Sequence, residues 1–179
     1  SKFGLELNVG VVGASGGLGQ AFVEQFASQA YVAKIHAFSR TQIKFENEKV
    51  ESHQIDIQSE HSIQEALDAI GDTILFDIVV VATGFLHDEH VSPEKTIRDV
   101  NMDYFREVFS VNTYGPALLA KYFLPRLQRD RKSVFACLSA RVGSISDNRL
   151  GGWYAYRASK AALNMILKNA AIEMARRFK

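Results

Sequence analysis

Tyr156 and Lys160 stand four residues apart in the run GGWYAYRASKAALNMIL, Gly151 to Leu167, where small and apolar side chains predict a helix. Four residues advance a helix by about 400°, so the phenol and the ammonium leave one face, one above the other. A free phenol titrates near 10, so a tyrosine that passes protons at neutral pH needs its anion stabilised. A neighbouring ammonium does that by Coulomb attraction. The plain alternative is a surface pair with no chemistry. Tyr154, six positions before Lys160, points away by about 240°, which removes it as the proton carrier.

A second group of residues suits an anion. The stretch GASGGLG places glycines at 13, 16, 17 and 19, after a predicted strand and before a predicted helix. Missing β-carbons let backbone approach a diphosphate, and a helix N-terminus offers free N–H groups at its positive end. Gly13, Ser15, Gly17, Leu18 and Gly19 are therefore the candidate diphosphate residues; the alternative is a tight turn with no ligand. The spacing of Gly13, Gly17 and Gly19 differs from the G-x-G-x-x-G of other dinucleotide folds, and no Gly-Lys-Ser/Thr follows, which argues against a nucleotide triphosphatase. The second strand ends in Ser39 and Arg40, which suit a ribose 2′-phosphate, whereas an acidic residue there would accept from a 2′-OH. NADP(H) is thus preferred, with NAD(H) second, although Arg40 also reads as a solvated surface charge. At the end of the third strand Asp56, followed by Ile57, is placed to accept from an adenine amino group or to cap a helix.

The elements that must position these residues alternate. Strands are predicted at Leu7–Gly13, Ala33–Phe38, Glu51–Ile57, Phe76–Ala82 and Ser133–Ser139, from short β-rich runs. Between them the period changes to 3.6 in GQAFVEQFASQ, in SEHSIQEALDAI and in one long helix from Thr96 to Leu127. Such alternation predicts an α/β fold, a doubly wound parallel sheet of the Rossmann type with helices on both faces. The near-continuous IVVVA fits a central strand buried on both sides. No linker or repeat interrupts the chain, so residues 1–179 read as one dinucleotide-binding domain. Five strands without a sixth beside the fifth suggest a chain incomplete at its C-terminal end.

Composition narrows the remaining classes. Among 179 residues, 47% are hydrophobic and 23% charged, the balance of a folded soluble domain. Lys plus Arg number 21 against 20 acidic residues, a net charge of +1, so nucleic acid and anionic membranes are not expected partners. One cysteine, Cys137, excludes an internal disulfide and suits a reducing compartment; with no signal-peptide pattern or membrane span, the cytoplasm is the default. His87 to His90, HDEH, lacks the i, i+4 spacing of a helical zinc pair, and His36, His53 and His61 show no clustering, so no metal is expected. Phe105, Phe109, Tyr122 and Phe123 on the long helix suit either a subunit interface or the core.

In their order along the chain, GASGGLG, VNTYG, ACLSARVGS and YRASK resemble the short-chain dehydrogenase/reductase family, and GSISDNRLGGWYAYRASKAALN is most similar to its C-factor-like and sniffer-type carbonyl reductases. The resemblance implies that Tyr156 is the general acid/base, that Lys160 binds the nicotinamide ribose and lowers the tyrosine pKa, and that Asn112 holds a proton-relay water. From the residues alone, Asn112 reads equally as a helix-kink residue satisfying its own backbone. The implied activity is hydride transfer between NADP(H) and a carbonyl or alcohol, in a homodimer or homotetramer. Two departures follow. The fourth strand ends VATG where the family has Asn-Asn-Ala-Gly, leaving Ala82, Thr83 and Gly84 backbone contact only. The fifth ends Ser139-Ala140 where the family has two serines, so the carbonyl-polarising hydroxyl falls to Ser144, ahead of Ser139. The rival reading is a catalytically weak or inactive dinucleotide-binding signalling or regulatory protein.

Overall fold

Short β-branched runs become five parallel strands: β1 (Leu7–Val12), β2 (Val32–Ser39), β3 (Val50–Gln54), β4 (Ile78–Val81) and β5 (Val134–Cys137). The computed structural model describes residues 6–89 and 91–177. The strands lie in the order β3-β2-β1-β4-β5, all pairs parallel. The chain walks outward from β1 to β3, returns beside β1 as β4, and continues outward to β5. That reversal makes this a Rossmann-type doubly wound sheet, and ligands in such sheets bind outside the strand carboxyl ends where the order reverses. Val79, Val80 and Val81 on β4 are buried, as expected of a strand covered on both faces.

The chain divides into two compact units: Ser1–Thr83 with Leu118–Leu138, and Gly84–Ala117 with Ser139–Lys179. The first holds the sheet with α1 (Gly17–Ala27) and α2 (Glu60–Ile70). Helix α2 starts where Ser59 accepts from the Ser62 amide, and it buries Ile63, Ala66 and Leu67. At the amino ends of the strands the fully buried Asp77 carboxylate accepts from the Asn8 amide at 2.9 Å and from Arg131 at 2.5 and 3.1 Å. Phe123 is buried against Phe38 and Phe76, each ring pair centred 5.5 Å apart, so it belongs to the core and not to a subunit interface. Tyr122 donates to the Glu60 carboxylate, which also pairs with Lys121.

The expected single helix from Thr96 to Leu127 is broken. Asn101 caps α3 (Met102–Phe109) by accepting from the Tyr104 amide. A π-helical turn, Ser110–Tyr114, then precedes α4 (Gly115–Phe123). Pro116 has no N–H to give to the carbonyl four residues back, at Asn112, and the helix accommodates the gap by widening. The second unit ends in α5 (Tyr154–Arg177). None of the described helices is long and apolar enough to cross a membrane.

One expectation is overturned in the sheet: His36 and His53 do cluster. Parallel register sets His36 beside Glu51 and Phe38 beside His53, so all four point to one face. His36 Nδ1 lies 3.0 Å from His53 Nε2, while His61 on α2 pairs with Glu65 at 3.2 Å. Spacing along the chain could not show this, because it depends on which residues of two strands sit opposite each other. Burial, then the His53 and Lys34 charges against the opposing pull of Glu51, lowers the His36 pKa to about 4. The folded chain thus binds this proton less readily than the unfolded chain. The stability contributed by neutral His36 is complete above 6.5 and is lost as pH falls towards about 4. Across that window the denaturation midpoint should fall more steeply for the native chain than for His36→Phe, and equal slopes would contradict a buried neutral imidazole.

Candidate functional site

Gly13 ends β1 with φ 89°, and a β-carbon there would lie 3.0 Å from Thr83 Cγ2. A β-carbon on Gly19 would lie 2.0 Å from the Gly13 carbonyl oxygen. The turn itself therefore demands both glycines, ligand or none. Gly17 differs, since its missing β-carbon faces open space with nothing within 4 Å. It opens α1, whose N-cap residue makes no side-chain hydrogen bond and whose first turn holds no acidic residue, so nothing in that turn offsets its positive end. Ser15 and Leu18 are exposed beside it, Leu18 at 65%. The Thr83 hydroxyl oxygen is buried and has no partner among the described residues. An open cradle, an uncapped helix start and an orphaned hydroxyl fit a dinucleotide diphosphate.

Ser39 is buried and donates its hydroxyl to the Thr41 carbonyl at 2.7 Å, so it stabilises the turn after β2. Arg40 is exposed and lines a cavity of about 610 Å³ together with Asp56, His53, Gln54 and Glu65. The structure thus brings Arg40 and Asp56 to one cavity. Asp56 takes its plainer local role there, accepting from the Gln58 amide at 2.9 Å in a turn before α2. Ile57 is buried, and Ala82 donates its amide to the Val12 carbonyl at 2.8 Å.

In the second unit Tyr156 and Lys160 share one face of α5, with Nζ 5.7 Å from the phenol ring centre. Lys160 is only 3% exposed. Burial pushes the Tyr156 phenol up from its ordinary value, opposite to the lowering expected from the ammonium. A β-carbon on Gly84 would lie 3.7 Å from Asn112 Oδ1 and 3.8 Å from Lys160 Nζ, so the three residues converge. Asn112 is fully buried on the π turn. Its Oδ1 accepts from the Phe85 amide at 2.8 Å, and its Nδ2 donates to the Phe85 carbonyl at 2.7 Å and to the Ser159 hydroxyl at 3.2 Å. The kink reading holds for the backbone, but the side chain serves Phe85 and α5 and not its own backbone.

The two serines do not meet Tyr156 through hydrogen bonds. Ser139 donates to Asn164 Oδ1 at 2.7 Å, and Asn164 lies eight residues beyond Tyr156, about 12 Å of helical rise. Ser144 accepts from the Asp147 amide at 3.3 Å and lines a cavity of about 380 Å³ with Ile145, Asn148, Arg157, Ala158 and Ala161. His87 is exposed and His90 lies outside the described residues.

Residues the sequence reading missed set the start of α5. Gly151, Gly152 and Trp153 have φ of 64°, 65° and 51°, the last in a region costly for a bulky side chain. Trp153 donates its amide to the Glu94 carbonyl at 2.6 Å and its ring packs edge-on to Tyr156, centroids 6.2 Å apart. The Glu94 carboxylate is 3% exposed and accepts the Ala155 amide with both oxygens, at 3.2 and 3.3 Å. Tyr104 donates to the Leu86 carbonyl, and its pKa is pushed up to about 12 by burial and then by Glu94 and Glu107. Gly143 lets its loop touch α5, since a β-carbon there would lie 2.8 Å from Lys160 Cβ. A helix start behind Gly-Gly-Trp, without Ser, Thr, Asp or Asn, signals a remote cap, but not which acid supplies it.

The sequence pattern of the short chain dehydrogenase family matches residues 8–178, so the chain belongs to the short-chain dehydrogenase/reductase oxidoreductases. Among curated relatives it is 28% identical over 165 residues to a benzil reductase ((S)-benzoin forming) of Bacillus subtilis, covering 91% of this chain and 65% of that protein. It is 36% identical over 76 residues to the C-signal protein of Myxococcus xanthus, covering 42% of this chain and 46% of that one. The chain therefore spans less than two thirds of the length of these relatives. Among solved structures, a putative short-chain dehydrogenase/reductase of Burkholderia multivorans with bound NADP is 26% identical, TM-score 0.80, covering 96% of this chain and 74% of that one. The putative carbonyl reductase Sniffer of Caenorhabditis elegans, 23% identical with TM-score 0.83 over 94% of this chain and 80% of that one, shares the fold.

Glu94→Ala leaves a buried amide at the start of α5 without its acceptor, and should cost about 1–3 kcal/mol in chemical denaturation. Glu94→Gln, which keeps an acceptor oxygen, should lose less. An Ala variant as stable as the native chain would show that the cap does not hold the helix.

Proposed function

We propose that this chain carries the nucleotide-binding and proton-transfer machinery of an NADP(H)-dependent oxidoreductase that interconverts a carbonyl and an alcohol, working as a reductase. The observation that carries the reading is the buried Lys160 ammonium 5.7 Å from the ring centre of Tyr156, on a helix whose start is pinned. The NADP bound in the Burkholderia structure supports the nucleotide, as does Arg40 on the cavity shared with Asp56.

When bound, the nicotinamide supplies or takes the hydride. Gly13, Ser15, Gly17, Leu18 and Gly19 hold the diphosphate, Arg40 with the backbone at Ser39 receives the 2′-phosphate, and Asp56 and Ile57 border the adenine. Ala82, Thr83 and Gly84 contribute backbone and the Thr83 hydroxyl. Tyr156 gives its proton to the carbonyl oxygen as charge builds there, and Lys160 stabilises the phenolate left behind. Asn112 acts by holding Ser159, and so α5, against the Phe85 backbone. Ser144 stays ahead of Ser139 as the polarising hydroxyl, because Ser139 is spent on Asn164. The Trp153 ring against Tyr156 suits an apolar or aromatic carbonyl, in line with the benzil reductase relative. Exposed Met165 and Ile172 on α5 support a homodimer or homotetramer, and the single cysteine a cytoplasmic setting.

A regulatory protein that binds the dinucleotide without turnover is the second reading. Ala140, the Ser139–Asn164 hydrogen bond and the C-signal relative favour it.

Tyr156→Phe should keep NADPH affinity by calorimetry while carbonyl reduction falls by about 100-fold or more; retained turnover would remove Tyr156 as the acid. Arg40→Asp should shift preference from NADPH towards NADH in paired kcat/KM measurements, and an unchanged ratio would remove Arg40 from the phosphate site.

A further inference from the structure

We infer that His36, His53 and Glu51 form a binding site for a divalent transition-metal cation of the Zn²⁺ type. The three side chains rise from one face of β2 and the edge strand β3, and one donor atom from each lies within 4.8 Å of the others. The facing imidazole nitrogens are 3.0 Å apart. Tetrahedral zinc with bonds of about 2.0–2.1 Å holds its donors about 3.3 Å apart, so the imidazole pair needs a shift of only a few tenths of an ångström, while the half-exposed Glu51 side chain must swing inward to close its longer distance.

The charge state suits a cation as well. One of the two facing nitrogens must carry a hydrogen to make the present contact. Moving that hydrogen to the far nitrogen of its ring turns both lone pairs inward with no change in net protonation. Burial disfavours the protonated form of both rings, which keeps them neutral and ligating. Glu51 adds the anionic donor: Lys34 takes its Oε2 at 3.0 Å, leaving Oε1 3.8 Å from His53 Nε2. Phe38 and Phe76, with ring centres 5.1 Å from His53 and 5.5 Å from His36, supply an apolar wall that limits competing water. Entry comes from outside, since Glu51 is half exposed and His53 lines the cavity of about 610 Å³. Two imidazoles and a carboxylate match zinc better than Mg²⁺ or Ca²⁺, which prefer oxygen donors. Occupation would staple the edge strand β3 to β2.

The test is calorimetric titration of Zn²⁺ into the chelator-treated chain carrying no histidine tag, with Co²⁺ absorption reporting coordination. One equivalent should bind at micromolar concentration or tighter and raise the melting temperature. His53→Ala should abolish binding, half-exposed Glu51→Gln should weaken it about tenfold or more, and His61→Ala should leave it unchanged. Absence of saturable binding at millimolar Zn²⁺, or binding that survives both His53→Ala and Glu51→Gln in folded variants, overturns the site. Neither result depends on the oxidoreductase reading, because the assay contains no nucleotide.

Discussion

Glu94 accepts the Ala155 amide with both carboxylate oxygens, and its carbonyl accepts the Trp153 amide, so a residue 61 positions earlier fixes the first turn of α5. Side chains leave a helix at fixed angles, which means that setting the first turn sets the direction of everything after it. Tyr156 and Lys160 share a face because of their spacing. That face points where it does because the helix starts where Glu94 holds it. A carboxylate is well matched to this position, near the positive end of a 24-residue helix whose own first turn holds no acidic residue. The left-handed run from Gly151 to Trp153 is part of the same device: two glycines adopt it freely, Trp153 at some cost, and the hydrogen bond to Glu94 offsets that cost.

The glycines after β1 divide their labour. Gly13 and Gly19 are demanded by the backbone they touch, and the turn would need them with no ligand in view. Gly17 touches nothing, and the helix end behind it carries no capping side chain and no acid. The orphaned Thr83 hydroxyl adds a buried polar atom to the same corner. The glycine motif therefore mixes positions that the fold demands, Gly13 and Gly19, with one, Gly17, that the surrounding backbone leaves open, and only the steric surroundings of each tell them apart.

Local signals carried far in the sequence. Four strands were legible to within about two residues from β-branched runs, while the third was expected to run on to Ile57 and instead ends at Gln54, which leaves Asp56 in the turn beyond it. The change from period two to 3.6 gave the parallel α/β sheet. The Tyr156–Lys160 pair was legible because helical spacing is local. What needed the fold was non-local: the cross-strand register that joins His36 to His53, the remote acid that caps α5, and the direction of the Ser139 hydroxyl towards Asn164. The broken long helix sits between these cases. Gly115-Pro116 was visible in the sequence, yet amphipathic spacing ran straight through it, and the missing proline N–H decided the outcome with a π turn at Asn112. Asn112 stood out as a candidate in VNTYG, but its bonds to Phe85 and Ser159 could not be read there.

The tension left at the centre is electrostatic. Burial raises the Tyr156 phenol, whereas proton transfer near neutral pH needs it lowered, and Lys160 is the cation placed to do so. Titration of ring-labelled Tyr156 by NMR, with and without saturating NADP⁺, measures that balance directly. The expected result is an ionisation midpoint that drops below the ordinary tyrosine value of about 10 in the complex and rises again in Lys160→Met. A phenol that stays above that value in every state would contradict the assignment of Tyr156 and Lys160 as a working acid/base pair.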